Sequence, residues 1–255
     1  MASSASASSA MLWFFILTTI YFVIKYYIKD GIQSKIYFGI YITLLIIGEY
    51  IINLSLTESM CGNKQWSNAM LVTLIPWVFI FGILNIVLSV FPGWLSPFSN
   101  TFGYAVVKIA GIGKFFDNIL KPKVSAGTGS SAAMNEALEH IYSDKSLLIN
   151  EITQQNFERF WSNMSGLFKT GVSANNEIKD QLLDYIRLKD NIAEYIWYML
   201  TGGLVTSVGY NYIVNSGCNK SVKDMQKRHK EYEAQALKQF KEKQEAQPRV
   251  YASTE

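Results

Sequence analysis

The feature that most constrains this chain is a run of 43 consecutive residues, 65–107, without a charged side chain. Two further runs, 1–24 and 195–219, are also uncharged. Charged residues make up 17% of the chain, whereas about a quarter of the residues in an average soluble domain are charged. A soluble domain does not leave stretches of this length uncharged, because charged residues dominate solvated surfaces. The distribution therefore predicts an integral membrane protein.

Four apolar stretches are long enough to be membrane-spanning helices. A helix rises about 1.5 Å per residue, so about 20 apolar residues cross the hydrocarbon of a bilayer. The stretches are continuously apolar instead of alternating, which favours helices over the strands of a membrane barrel. The sequence therefore predicts an all-α membrane protein with four transmembrane helices, at residues 11–28, 36–56, 69–91 and 192–214.

Residues 1–10 are predicted to form a polar tail in front of an uncleaved first span. They lack the positive charges that begin a signal peptide, and no small-residue cleavage site follows the apolar stretch. The lysines that follow the first span favour a cytoplasmic location for the loop after it. The bases after residue 219 favour the opposite orientation, so the sequence leaves the absolute orientation open.

Four crossings define two faces of the membrane. The N-terminus, the 57–68 loop and everything after residue 215 lie on face A, and residues 92–191 lie on face B. Both cysteines, Cys61 and Cys218, then fall on face A, where two ends of a helical bundle can bring them within reach of a disulfide. Two unrelated free thiols are the alternative. A metal site is not favoured, because no histidine lies near either cysteine.

The segment after the third span, 92–116, is predicted to lie along the membrane surface on face B. Two prolines end the helix, and aromatic residues suited to the headgroup region accompany them. These predicted interface residues are Pro92, Trp94, Pro97, Phe98 and Tyr104. From Thr101 the segment is amphipathic, with Lys108 and Lys114 on its polar side.

Residues 117–191 are predicted to form a small helical extramembrane domain, with a Gly/Ser linker at 125–131. Apolar residues recur at helical spacing, first in a predicted helix over 132–151 and then in a second helix. They are Leu138, Ile141, Leu148, Ile152, Phe157, Phe160, Trp161, Met164 and Phe168. Asn175 or Asn176 is predicted to cap a helix that starts at Glu177 and continues without a break into the fourth span. A domain of about 60 ordered residues is marginal alone, so we expect it to pack on the membrane or on a partner.

Residues 215–255 form a basic C-terminal tail whose central part is predicted to be helical. The net charge of +3 arises entirely after residue 219. The bases at the start of this tail are Lys220, Lys223, Lys227, Arg228 and Lys230. They favour attraction to anionic lipid headgroups or to an acidic protein surface, and a solvated helix with i, i+4 ion pairs is the alternative. Nucleic acid is not favoured as a partner, because few aromatic residues lie among the bases.

The sequence contains no catalytic or cofactor-binding motif. The two histidines, His140 and His229, are isolated from each other and from the cysteines. The run AGIGKF at 110–115 lacks the Gly at position 108 and the Ser or Thr at position 115 that a P-loop needs. We therefore expect a protein that is not an enzyme and that binds no cofactor or metal.

Two polar residues inside the predicted spans, Glu49 and Asn85, are candidates for function. Ionisable side chains are costly in a bilayer, and they are functional candidates for that reason. Helical rise places Glu49 on the face-A side of the midplane and Asn85 on the face-B side, about 12 Å apart in depth. Direct pairing is therefore not expected, and a carboxyl group held by Ser, Thr or Asn, or protonated, is favoured over a proton relay. Gly202, Gly203 and Gly209 are expected to allow close helix packing.

One part of the chain resembles a known protein family. The runs CGNKQWSNA at 61–69 and IPWVFIFGILNIVLSVFPGWLSPFSNTFGY at 75–104 resemble multi-span membrane proteins of large icosahedral DNA viruses with an internal lipid membrane. About 45 residues carry this resemblance, and the other three spans share the layout alone. It implies a minor capsid-associated virion protein of the inner membrane, present in host membranes during assembly. It supplies no catalytic residues, and it marks Trp66, Pro76, Pro92, Trp94 and Pro97 as positions that set the shape of the chain.

Two classes of function remain after this comparison of motifs. The first is a structural, non-enzymatic membrane protein that links a bilayer to a protein shell through its face-B helices or its basic tail. The second is a small transporter or channel subunit that uses Glu49 in a polar bundle interior. The lack of an internal repeat and the scarcity of polar residues within the spans oppose the second class.

Overall fold

The structure, a computed structural model, describes residues 7–28, 31–122, 139, 142–215, 218 and 222–245. The regular secondary structure of these residues is helical, apart from one isolated antiparallel bridge between Leu120 and Phe168, and turns and irregular segments connect the helices. The prediction of an all-α protein is therefore confirmed for the described part of the chain. The chain divides into two compact units, Met1–Val214 and Asn215–Glu255.

Three helices of the first unit are long and apolar enough to cross a membrane. They are α1 (Ala7–Tyr27), α2 (Gly31–Cys61) and a continuous rod made of α3 (Trp66–Leu74), a π-helix (Ile75–Phe81) and α4 (Gly82–Val90). Because α1 begins at Ala7, the last four residues of the predicted polar tail are helical. α2 extends five residues beyond each end of the predicted span, since helical hydrogen bonding continues past the apolar stretch that composition detects.

The π-helix in the third span follows from Pro76. Proline has no backbone N–H, so the carbonyl of Val72 loses the donor that a residue four positions later normally supplies. A π-turn shifts the hydrogen-bonding register by one residue and lets the helix continue in the membrane. Pro97 precedes a second π-helix, Ser99–Gly103. Proline therefore alters the helices at both positions without ending them.

Short helical segments occur among the described residues between the third span and residue 175. They are a 3-10 helix (Pro92–Leu95), α5 (Ser96–Phe98), the π-helix, α6 (Tyr104–Ile109), α7 (Ile112–Ile119), a 3-10 helix (Lys145–Glu151), α8 (Phe157–Asn163) and a 3-10 helix (Met164–Leu167). Their apolar side chains form one core, which we call the extramembrane core. Its members include Val107, Ile112, Phe115, Phe116, Leu148, Ile149, Ile152, Phe157, Trp161, Phe168, Leu182 and Ile186. The predicted apolar residues Phe160 and Met164 are half-buried against it, whereas Leu138, Ile141 and the 125–131 linker lie outside the described residues.

The amphipathic segment from Thr101, predicted to lie along the membrane surface, packs its apolar side against protein, and its location at the membrane surface stays a prediction. Val107, Ile112 and Phe116 are fully buried in the extramembrane core. Tyr104, predicted to be an interface residue, packs against the same core, and its hydroxyl lies 2.8 Å from the hydroxyl of Ser146. An apolar stripe indicates that one face of a helix is shielded from water. It does not indicate whether lipid or protein covers that face.

The prediction of one continuous helix over 132–151 is wrong for the last residues of that range. Lys145–Glu151 is a 3-10 helix, and the carboxylate of Asp144 caps it by accepting a hydrogen bond from the backbone N–H of Ser146 at 3.0 Å. Asp144 also pairs with Lys108, with a distance of 2.8 Å between Nζ and Oδ2. The hydrogen bonds from Lys108 and Ser146 lower the pKa of Asp144 to about 2.

A single helix of 40 residues, α9 (Asn176–Asn215), joins the extramembrane core to the bundle formed by α1, α2 and the third rod. Oδ1 of Asn175 accepts hydrogen bonds from the backbone N–H groups of Glu177 and Ile178, at 2.9 and 3.2 Å. The prediction of an asparagine cap at 175 and of one unbroken helix is therefore confirmed. The 192–214 stretch is not among the three helices that are long and apolar enough to cross a membrane, so its crossing stays a prediction.

An aromatic layer fills one half of the bundle interior. It consists of Phe14, Tyr21, Phe22, Tyr41, Trp77, Phe81 and Tyr198, which come from α1, α2, the third rod and α9. The rings of Tyr21 and Tyr41 are stacked, with 4.4 Å between their centroids. At Gly202 a Cβ would overlap the ring of Phe14, so glycine allows α9 to approach α1 closely, as predicted.

The other half of the bundle interior contains buried polar residues beside a small apolar cluster. On α2, Glu49, Asn53 and Thr57 are buried at four-residue spacing, following Tyr41 and Leu45 on the same side. Nδ2 of Asn53 donates a hydrogen bond of 2.9 Å to the hydroxyl of Thr73. This bond crosses from α2 to α3 and satisfies a polar group that would otherwise be costly to bury.

The second unit contains one described helix, α10 (Val222–Glu245). Lys227 and Lys230 are exposed on it, and the large apolar side chains of Tyr232, Leu237 and Phe240 are exposed as well. Lys227 lies 3.9 Å from Glu231, an i, i+4 ion pair. The helical character predicted for the tail is thus present over Val222–Glu245, and Lys220 lies outside the described residues.

Candidate functional site

Two adjoining clefts lie at one end of the bundle, where α1 ends and α2 begins. We call this the domain end, because the chain leaves the third rod there at Val90 and enters the extramembrane segments. The inner cleft has a volume of about 490 Å³ and the outer cleft about 240 Å³. Both are lined by Lys25, Ser34 and Glu194. Since these three residues come from α1, α2 and α9, the clefts exist only when the bundle is assembled.

An ion pair between Lys25 and Glu194 separates the two clefts. Nζ of Lys25 lies 2.5 Å from Oε2 of Glu194, and about a quarter of each side chain is exposed. Nζ also lies 5.2 Å from the centroid of the Phe22 ring, within the range of a cation–π contact. Lys25 is in the last turn of α1, where a positive charge interacts favourably with the helix dipole. The pair therefore joins the end of α1 to the middle of α9.

The outer cleft is lined by polar residues of α9 and of the extramembrane segments. Nδ2 of Asn191 donates to the carbonyl of Phe22 at 3.3 Å, which links α9 to α1. Asp190 accepts hydrogen bonds from Gln154 at 2.9 Å and from Ser99 at 3.4 Å. Burial raises the pKa of the Asp190 carboxyl, and these hydrogen bonds oppose that rise.

A buried lysine lies next to the outer cleft. The side chain of Lys189 is 2% exposed, and its Nζ donates to the carbonyls of Ile149 and Ile152 at 2.5 and 3.1 Å. These carbonyls lie at the end of the 3-10 helix over Lys145–Glu151. The carbonyl of Ile149 also accepts from the backbone N–H of Ile152 at 3.3 Å, so Lys189 adds a second donor there and supplies a donor to Ile152. Burial lowers the pKa of Lys189, while Asp190 and Glu151 act in the opposite direction. At Gly103 a Cβ would lie 2.5 Å from the carbonyl oxygen of Lys189, so α9 and the second π-helix are in direct contact.

The inner cleft is amphiphilic. Its polar lining comes from Lys25, Ser34, Lys35, Asn85, Ser89 and Glu194. Its apolar lining comes from Tyr21, Phe38, Ile86, Leu88, Leu95 and Tyr198. Tyr21 and Tyr198 belong to the aromatic layer and are buried, so the cleft ends on closely packed rings.

The two polar residues predicted within the spans do not form a common site. Glu49 is 1% exposed, and its Oε1 has no hydrogen-bond partner in the described part of the chain. Asn85 lines the inner cleft, and its Nδ2 donates to the carbonyl of Phe81 in its own helix at 2.8 Å. The expected hydrogen bonds from Ser, Thr or Asn are therefore not made to Oε1, and the expectation that the two residues do not pair with each other agrees with the Asn85 bond.

The remaining predicted interface residues lie close to α9. The centroid of the Trp197 ring is 6.5 Å from that of Trp94 and 5.9 Å from that of Phe98. Pro92 and Pro97 are exposed in the same segment. A location at the membrane interface stays a prediction for these four residues. In the second unit, Lys223, Lys227, Arg228 and Lys230 all belong to α10.

Cys61, the last residue of α2, and Cys218 are both disulfide-bonded, and neither is a free thiol. The chain contains two cysteines. Their pairing with each other within one chain stays a prediction. Such a bond closes a loop of about 155 residues, and the chain-entropy model gives it an upper limit of about 5 kcal/mol. A membrane already restricts the unfolded chain, so the measured gain is expected to be smaller.

We expect a non-reducing digest of the membrane-bound protein to yield one linked pair of peptides, carrying Cys61 and Cys218. The protein should migrate as a monomer on a non-reducing gel, and reduction should release both peptides together. Alkylation of either cysteine without reduction, or a dimer that reduction converts to monomer, would contradict the intramolecular pairing.

Sequence reasoning singled out Asn85 of the inner cleft but missed the ion pair that separates the two clefts. Lys25 and Glu194 are 169 positions apart, so no local pattern connects them. A signal was present, because Glu194 is an acidic residue inside the predicted fourth span and such a residue needs a partner. Lys189 gave no signal, since a lysine in a polar stretch of helix is ordinarily exposed.

No group of three or more His, Cys, Asp or Glu side chains that could hold a metal ion occurs among the described residues. Comparison of the chain with family models, with curated proteins and with solved structures finds no match.

Proposed function

We propose that the chain is a structural, non-enzymatic integral membrane protein that holds a helical domain in a fixed position against a bilayer. The observation that supports this proposal is the packing of α9 in both cores. Its first half contributes Leu182 and Ile186 to the extramembrane core, and its second half contributes Tyr198 and Val205 to the bundle. Because the helix is unbroken between the two cores, the domain cannot reorient without the bundle.

The packing of α9 supports a fourth span. α9 runs antiparallel to α1, since Glu194 pairs with Lys25 near one end of α1 and Gly202 meets Phe14 near the other. Farther along, Ile213 packs with Leu56 and Val72. The contacts from residue 191 to residue 213 cover about 33 Å of helix, which matches the thickness of about 30 Å of the hydrocarbon core.

The surface of the bundle also supports a membrane location on all four sides. Large apolar side chains are exposed at four-residue spacing along the outer side of α9, at Leu200, Leu204, Val208 and Tyr212. The other three helices expose similar residues, including Ile16, Ile20, Ile40, Leu44, Ile47, Phe79 and Ile83. A soluble protein rarely exposes so much contiguous apolar surface, whereas a bilayer requires it.

The resemblance to virion membrane proteins suggests which bilayer and which partner are involved. On that basis we propose that the bilayer is the internal membrane of a large DNA virus, and that the partner is the capsid shell. The extramembrane helices supply one contact surface. The exposed Lys227 and Lys230 of α10 supply another, suited to anionic lipid or to an acidic protein surface.

A transporter or channel, the alternative function, has less support. The inner cleft ends on Tyr21 and Tyr198 in the aromatic layer, and Glu49 lines neither of the two clefts. A permeation path must continue through the bundle, and the inner cleft stops at this layer. The structural function is therefore the one that the geometry favours.

Site-specific labelling tests the four-span arrangement. Single cysteines are introduced by Ser4→Cys, Ser130→Cys and Ser253→Cys into a chain whose natural cysteines are replaced by serine. With an impermeant thiol reagent on sealed vesicles, we expect positions 4 and 253 to be labelled from one side and position 130 from the other. Lys64→Cys, in the α2–α3 loop, is a control that should follow position 4. Labelling of positions 130 and 253 from the same side would mean that α9 does not cross, and the proposal would fail.

A further inference from the structure

The inner cleft lies between α2 and α4 at the domain end of the bundle. It lies between the first turns of α2, which carry Ser34 and Phe38, and the last turns of α4, which carry Ile86 and Ser89. α2 and the third rod are joined at the opposite end of the bundle by a short loop between Cys61 and Trp66. The cleft therefore lies at the end of these two helices that is away from the loop joining them.

The charged and apolar linings of the cleft are arranged for an amphiphilic ligand. Lys25, Lys35 and Glu194 together give the cleft one net positive charge. Glu194 is already paired with Lys25, whereas Lys35 is an exposed side chain at the mouth. Serine hydroxyls at positions 34 and 89 add hydrogen-bond donors. Phosphate oxygens accept such bonds, and lysine binds phosphate as a point charge.

The apolar part of the cleft continues into the exposed surface of the bundle. Ile86 is 63% exposed although it lines the cleft, and Val90 in the next turn of α4 is exposed as well. In a bilayer this surface faces acyl chains. A ligand with a phosphate at one end and a hydrocarbon chain at the other would therefore satisfy both linings, whereas a free phosphate ion would leave the apolar lining uncovered.

We propose that the inner cleft binds one phospholipid molecule, with its phosphate at Lys35, Ser34 and Ser89 and the first part of an acyl chain against Phe38, Ile86 and Leu95. The volume of about 490 Å³ falls in the range of small-molecule sites. The bound lipid fills the gap between α2 and α4 and thereby fixes the separation of these helices next to the extramembrane core. This site rests on the proposed membrane function, because its acyl chain requires that the bundle spans a bilayer.

The test uses the full chain in nanodiscs that contain phosphatidylglycerol and phosphatidylcholine. After transfer to detergent, native mass spectrometry counts the phospholipids that remain bound. We expect one retained phospholipid for the natural chain, at least a fivefold lower occupancy for Lys35→Gln, and complete loss for Ser89→Trp, which fills the cleft. Lys64→Gln, at the opposite end of the bundle, and Ile83→Trp, on α4 but outside the cleft, are matched controls that should retain the lipid.

Two further experiments test the lipid site without substitutions in the chain. A photoactivatable phospholipid is expected to label peptides of the natural chain that contain residues 34–38 and 85–95, and labelling confined to other peptides would overturn the site. Glycerol phosphate and inorganic phosphate should not displace the retained lipid at millimolar concentration, and displacement by either would assign the site to a free anion. Equal retention in Ser89→Trp and Ile83→Trp would also overturn the proposal.

The outcome for the site is separable from the outcome for the membrane function. A chain that resists extraction from membranes by alkaline carbonate but retains no phospholipid would refute the lipid site alone. A chain that carbonate releases from membranes would refute the membrane function, and the lipid site with it.

Discussion

Replacing Gly202 by alanine is expected to destabilise the bundle by about 1–3 kcal/mol, the usual range for an overpacked core. The added Cβ would overlap the ring of Phe14 on α1, which is fully buried. Phe14 in turn contacts Trp77, with 5.7 Å between ring centroids, so the ring cannot move away without disturbing the aromatic layer. Unfolding in mixed micelles, followed by tryptophan fluorescence, gives the change in stability.

The neighbouring glycine provides the control for this substitution. At Gly203 the nearest atom to an added Cβ is Sδ of Met11 at 3.7 Å, an ordinary contact. Gly203→Ala is therefore expected to be neutral or to stabilise by up to about 1 kcal/mol, since alanine is the better helix former. Phe14→Leu in the Gly202→Ala background should recover part of the loss, because it removes the ring that the methyl group meets. Equal effects of the two glycine substitutions would contradict the close contact between α9 and α1.

Replacing Lys189 by alanine is expected to open the 3-10 helix over Lys145–Glu151. The carbonyl of Ile152 would lose its Lys189 donor, and an unsatisfied buried group costs about 1–3 kcal/mol, whereas the carbonyl of Ile149 would keep the backbone N–H of Ile152. Hydrogen exchange of the 145–152 amides should therefore accelerate by at least tenfold, which corresponds to about 1.4 kcal/mol. Lys189→Met, which keeps the aliphatic stem, should show a smaller effect. Lys179→Met removes an ion pair to the exposed Glu158 and should leave these amides unchanged.

The same lysine gives a pH dependence with a defined sign. Burial lowers the pKa of Lys189 in the folded protein, against the opposing influence of Asp190 and Glu151. In the unfolded chain the lysine has its ordinary pKa of 10.5. Between these two values the unfolded chain binds more protons than the folded one, so the contribution of Lys189 to stability rises with pH. The difference in stability between the natural chain and Lys189→Met should grow across this window, and a constant difference would contradict a lowered pKa.

The membrane helices and the cap of α9 were predictable because their signals are local. A run of 43 uncharged residues indicates an apolar environment without reference to any other part of the chain. Asn175 caps the helix whose first residues immediately follow it. The length of α9 was predictable for the same reason, since no Gly or Pro interrupts the pattern between residues 176 and 191.

The predictions differ from the structure where lipid and protein select the same pattern of apolar residues. The apolar sides of α6 and α7 are buried in protein, but lipid would select the same residues. The clefts depend on contacts between residues more than 100 positions apart, such as Lys25 with Glu194, and a single sequence does not encode such pairings in its spacing. Proline gave a mixed result. Pro92 follows the end of α4 as predicted, whereas Pro97 precedes a π-turn that continues the chain in helical form.

Because α9 belongs to both cores, the proposed fourth span would couple the tilt of the helix in a bilayer to the position of the extramembrane core. About 26 residues separate Gly202, within the bundle, from Asn176 at the far end of the helix, a distance of about 39 Å. Membrane helices adjust their tilt when the thickness of the bilayer changes. A tilt of about 10° would displace the Asn176 end by about 7 Å over that length. A change in bilayer thickness would thus move the Asn176 end of the helix by several ångströms.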